Sequence, residues 1–149
     1  MSHTTSIDNI VFSDVDALKA AVNELVSKGV KCALERNSSA RAFYANQEGM
    51  SGVHPYVLRL HDCPYDVAFV QDTKKKGLVA RTDLFADRVA GVLGTPKAIG
   101  ESKEQAALGK LYQSYAIHAA TRKAVQQGRT VSRINAPDGS VRLVIGGFS

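Results

Sequence analysis

The residues with the most evident chemistry lie near the end of the chain. RTVSRINAPDGSVRLVIGG, residues 129–147, sets Arg129, Arg133 and Arg142 against a single acid, Asp138. A guanidinium offers a planar fork of donors that matches phosphate or carboxylate oxygens. Such a ribbon reads either as a grip on something negative or as a solvated sheet face. Lys74, Lys75 and Lys76 form a second cationic run, and Arg81, Arg122 and Lys123 add to it. Phe43 and Tyr44 sit beside Arg36 and Arg41. Proteins that hold single strands combine a positive groove with aromatic platforms, because every base has a π-face. Phe43 and Tyr44 are the stacking candidates; the competing reading makes them core plugs.

Other chemistries find less support. His54, His61, Cys63 and Cys32 contain no CxxC or HxxxH spacing, so no metal site is expected. A cysteine nucleophile needs a base within hydrogen-bond reach and a group to orient it, and sequence proximity supplies neither. There is no GxSxG, P-loop or GxGxxG. The expectation is a protein that is not an enzyme and has no cofactor. Asp62 and Asp66 read as solvated turn carboxylates. No helix-turn-helix, zinc-finger or basic-zipper pattern points to duplex reading.

The charge distribution sharpens this. Residues 1–102 hold 12 Lys/Arg and 12 Asp/Glu; residues 103–149 hold 7 and 2. The whole +5 excess therefore lies in the last 47 residues. Such asymmetry points to a polyanion. Its bland counterpart is a basic face kept for solubility. At 149 residues and 44% hydrophobic content, the chain has the size and composition of one globular domain spanning 1–149. Two cysteines suit a reducing compartment. No basic and apolar leader opens the chain and no apolar run reaches about 20 residues, so a cytoplasmic protein without membrane contact is expected.

The elements that must position these groups follow from periodicity. Ser13-Asp14 starts a helix whose Val15, Leu18, Val22, Leu25 and Val26 share helical spacing, and Gly29 ends it. VKCALE (30–35) reads as a strand and residues 36–54 as irregular. YVLRLH (56–61), YDVAFVQ (65–71) and LVARTD (78–83) alternate as a meander, with Arg59 and Arg81 opposite the apolar face. LFADRVAGVLG is a short helix and residues 94–102 a linker. One long helix spans about Lys103 to Gln127, and PDG turns a final hairpin. The class is α+β: an antiparallel sheet of meander and hairpin strands with helices packed on one side. One sheet face is expected to gather Arg59, Arg81 and Arg142.

Met1-Ser2-His3 at the start, Tyr115-Ala116 with His118 on the late helix, and Asp138-Gly139-Ser140 with Arg142-Leu143 in the hairpin together resemble a small family encoded in chloroplast and cyanobacterial genomes and in phages, the hypothetical chloroplast frame thirty-five group. The chain departs from it at Thr4, where the family has an aromatic, and in ARTDLFADRV, where members often carry tryptophans. The family has no settled activity. The resemblance implies a fold and a phage or cyanobacterial-type setting. That setting, with the size and charge, suggests similarity to a phage single-stranded DNA-binding cofactor of RNA polymerase. The expected function is single-stranded DNA binding in transcription or replication. The expected contacts are phosphates at Lys74, Lys75, Lys76, Arg81, Arg122, Lys123, Arg129, Arg133 and Arg142, and bases on Phe43 and Tyr44. The expected partners are single-stranded DNA, a phage RNA polymerase and further copies in a homo-oligomer. The alternative is a protein-interaction module or phage inhibitor whose basic face meets an acidic protein.

Overall fold

The meander read from the alternating segments forms the centre of the molecule. The structure, a computed structural model, describes residues 4–42, 52–72, 74 and 76–148. Strands β2 (Cys32–Ser39), β3 (Val53–Leu60), β4 (Val67–Gln71) and β5 (Leu78–Asp83) pair antiparallel with their sequence neighbours. A strand the periodicity does not reveal, β1 (Thr4–Phe12), adds to the β5 edge, giving the order β1-β5-β4-β3-β2. The segment 36–54, read as irregular, is strand at both ends, because β2 runs on to Ser39 and β3 begins at Val53. The class is α+β.

Helix α1 (Val15–Ser27) begins at Asp14, whose side chain accepts the Ala17 N–H at 3.1 Å. Its Ala17, Leu18, Ala21, Val22 and Leu25 bury one stripe. That stripe meets Leu58, Leu60, Phe69 and Ala80 on one face of the sheet. Phe12 sits at the junction, with ring centroids 5.1 Å from Phe69, 5.7 Å from Tyr112 and 4.7 Å from Tyr115. Burying a phenylalanine this fully is worth about 2–3 kcal/mol.

The expected long helix is interrupted. A capping box between Ser102 and Gln105 opens α3 (Lys103–Ala107), Leu108 leaves helical geometry, and α4 (Gly109–Gln126) follows. Gly109 has a steric reason: a Cβ there would lie 1.9 Å from Thr95 Oγ1. Short α2 (Arg88–Leu93), preceded by a 3₁₀ turn at Phe85–Asp87, closes one end of the core with Val89 and Leu93.

The last hairpin, β6 (Arg129–Asn135) and β7 (Val141–Phe148), is a sheet of its own. It rests on α4 rather than on the five strands. Residues 117–122 of α4 are all partly buried, as expected of a helix covered from two sides. Arg142 therefore cannot share a sheet face with Arg59 and Arg81.

Candidate nucleic-acid interface

The arginines divide by what they touch. Arg133 opposes Leu143 across the hairpin and forks onto Glu24 of α1: its Nη2 donates to Oε2 at 3.0 Å and its Nη1 donates to Oε1. Lys28 and His118 also reach Glu24, each at 3.0 Å. The Arg133 hydrogen bonds lead in holding the Glu24 carboxyl at about 2, against the opposing pull of burial. Arg122 is also engaged. Its Nε lies 2.8 Å from Asp14 and its Nη2 3.4 Å from Asp16, and that contact keeps Asp14 below the usual carboxylate range. These two arginines tie α4 and the hairpin to α1.

Arg142 stands on the opposite face of the hairpin, paired across strands with Ile134, and is exposed. Lys123 is exposed near the end of α4. Arg129, exposed, begins β6. Lys74 and Lys76 are exposed on the β4–β5 connection. That connection lies against the end of β1: a Cβ on Gly77, where φ is +130°, would come within 2.5 Å of Val11 Cγ1 and 3.2 Å of Ser13 Cα. The connection that carries Lys74 and Lys76 thus reaches the end of β1 just before α1, and Arg122 meets α1 at Asp14. Lys75, Phe43 and Tyr44 lie outside the described residues.

The sheet face away from the helices holds a different cluster. Asp66, read from the sequence as a solvated turn residue, is fully buried. It accepts from the Arg41 backbone N–H at 2.9 Å, Arg41 Nε at 3.0 Å and Nη2 at 2.8 Å, the Leu60 N–H at 3.1 Å, and Arg59 Nη1. Burial pushes this carboxyl up, but the Arg41 and backbone hydrogen bonds outweigh it and hold the acid below its ordinary value. Arg59 also reaches Glu35 and Ser38. Two arginines and two acids leave this cluster neutral. Arg81 lies on the same sheet face, two residues from Asp83, partly buried with its Nε enclosed and unbonded.

A groove absent from the sequence reading runs between α1 and edge strand β2. On the helix side it is lined by Lys19, Val22, Asn23 and Val26, spaced i, i+3, i+4, i+7. On the strand side it is lined by Cys32, Leu34 and Arg36, with Tyr56 beside them on β3. Arg36 and Tyr56 are cross-strand partners, and the guanidinium carbon lies 6.0 Å from the ring centroid. Among the described residues no carboxylate lines the groove. Neighbouring hollows differ: one carries Glu24, another Glu101, a third Asp62 and Asp87. Val22 and Val26 belong to the helical stripe read from the sequence, whereas Lys19 and Asn23 do not. The pairing of Arg36 with Tyr56 needs the β2–β3 register, which no local pattern reveals.

No protein-family model, curated protein or solved structure matches the chain. Cys32 and Cys63 are buried in the apolar core, and burial pushes both thiols up. His54 is buried at the start of β3 and His61 is exposed after its end. Among the described residues no three His, Cys, Asp or Glu side chains converge as metal ligands, and no helix is long and apolar enough to cross a membrane.

Proposed function

We propose that this protein is a non-enzymatic single-stranded DNA-binding protein that serves as an accessory in transcription or replication. One observation carries the reading: the charges left over after internal pairing. Lys19, Arg36, Lys74, Lys76, Arg88, Lys97, Lys123 and Arg142 are exposed with no carboxylate in ion-pair reach among the described residues. Seven of the 14 acids are already engaged: Asp14, Asp16, Glu24, Glu35, Asp62, Asp66 and Asp87 each meet a cation. The same pairs occupy seven cations, so the +5 excess is undiminished and rests on the cations left over. Phosphates are the natural complement of such a surface, and binding by counterion release carries little sequence preference. In this reading the partners are single-stranded DNA, a phage RNA polymerase and further copies of the chain.

The test is fluorescence anisotropy with a labelled single strand and its duplex at two salt concentrations. Tighter binding of the single strand, weakening steeply with salt, supports the proposal. Arg142→Ala should flatten the salt dependence by about one unit of slope. No binding at low salt rejects it.

A second reading has its own support. Ile134 and Val144, 44% and 47% exposed, share the hairpin face of Arg142. A basic ribbon with exposed apolar residues suits an acidic protein partner. A complex that survives nuclease treatment would favour this reading.

A further inference from the structure

We infer that the groove between α1 and β2 is a base-stacking pocket, which takes one unpaired nucleobase against Tyr56 and Arg36 and the adjoining phosphate on Lys19. The inference rests on the proposed single-strand binding and names where the selectivity for single strands resides.

Shape comes first. The groove holds about 430 Å³, within the range of small-ligand sites. Its helix side, from Lys19 to Val26, is about 10 Å long at 1.5 Å rise per residue. Val22 and Leu34 give it an apolar floor. A flat heterocycle fits such a slot, whereas a base pair inside a stacked duplex cannot enter between a helix and a strand.

Chemistry comes second. Tyr56 is partly buried, so its ring is held by the core while part of it faces the groove. Arg36 lies at the outer limit of cation–π reach, so a base can take the ring face at little cost. A guanidinium plane also stacks on bases. Asn23 supplies both a donor and an acceptor at the rim, suited to the exposed edge of an unpaired base. Lys19 and Arg36 together give the groove two positive charges that no acid among its described lining residues offsets. That combination complements a base carrying its phosphate.

The chain contains no tryptophan, which makes a clean reporter available. The experiment titrates Tyr56→Trp with oligothymidylate, with duplex of the same length and with polyglutamate, following indole emission and anisotropy together. The expected result is quenching by oligothymidylate that saturates along the anisotropy curve, with much weaker quenching by duplex or polyglutamate. Tyr56→Leu should weaken single-strand binding about tenfold and leave the salt slope unchanged. Arg36→Glu, at an exposed position, should weaken binding and flatten the slope; it guards against a folding defect in the Tyr56 variant. Normal single-strand binding in which the indole is silent and both variants bind like wild type overturns this inference and leaves the proposed function standing. Absence of single-strand binding by the wild type overturns both. Quenching by polyglutamate equal to that by oligothymidylate reassigns the groove to an acidic peptide and also overturns the inference.

Discussion

Two carboxylates in this molecule are each clamped by arginine, and they do different work. Asp66 is wholly enclosed and accepts from two backbone amides as well as from Arg41 and Arg59. Glu24 retains 15% of its side-chain exposure, and its partners, Arg133, Lys28 and His118, are all side chains. The first fastens the stretch after β2 and the β3–β4 turn to one sheet. The second joins three separate pieces: α1, α4 and the hairpin. A buried clamp that includes backbone opens only with the core around it. A clamp of side chains at a rim can open alone.

The largest effect should come from Asp66→Ala. It strips the Arg41 and Leu60 N–H groups of their acceptor, while the Arg41 side chain, 46% exposed, keeps access to water and Arg59 keeps Glu35. A buried donor left without its acceptor costs about 1–3 kcal/mol. Urea denaturation should show the unfolding free energy falling by about 2–5 kcal/mol for the two donors together. A cost near zero would mean that water replaces the lost acceptor.

Glu24→Gln should cost less, about 1 kcal/mol, as rim ion pairs do. Hydrogen exchange should quicken in the hairpin and stay unchanged in β3 and β4. The comparison also has a pH signature. The carboxyl of Glu24 is depressed from 4.5 to about 2 in the folded state. Its stabilisation is therefore complete above about pH 4.5 and is lost as pH falls toward 2. Thermal melts of wild type and Glu24→Gln should differ at pH 6 and converge across that window. An unchanging gap would show that shape, not charge, holds the hairpin.

The smallest effect separates two arginines of one hairpin. Arg133→Ala should lower stability like Glu24→Gln, while Arg142→Ala should stay within about 0.5 kcal/mol of wild type. Equal losses in thermal melts would erase the distinction between an inward and an outward arginine.

The sequence made some of this plain and hid the rest for physical reasons. The meander was legible because VLRL and VAFV are short apolar runs between turn residues, and both faces of their strands are buried, Leu58 and Phe69 on one and Val57 and Ala68 on the other. The turn at Pro137-Asp138-Gly139 was legible because its residue types bend the chain locally. β1 was not, since its place depends on pairing with β5, 66 (Phe12 with Leu78) to 79 (Thr4 with Asp83) residues away along the chain. The break at Leu108 lies beside Gly109, where Thr95 packs close from outside the helix, a contact that no local pattern reports. Among candidate site residues, periodicity placed Arg142 correctly away from Val141 and Leu143. It could not tell that Arg122 and Arg133 find acids on α1, nor that Asp66 is enclosed. Ion-pair partners lie across the fold, and single-sequence patterns report only near neighbours.

The sheet order has a consequence for how the molecule comes together. Strands β2 to β5 each pair with the next in sequence, so this part needs only short loops to close. Thr4 pairs with Asp83, and the Tyr115 hydroxyl accepts from the Asp14 N–H across 101 positions. Those closures carry the high contact order, and folding slows as such non-local pairing grows. β1 is thus expected to seat late: its edge of the sheet exists only once β5 is in place, and the core that Phe12 enters is built by Phe69 on β4 and by Tyr112 and Tyr115 on α4.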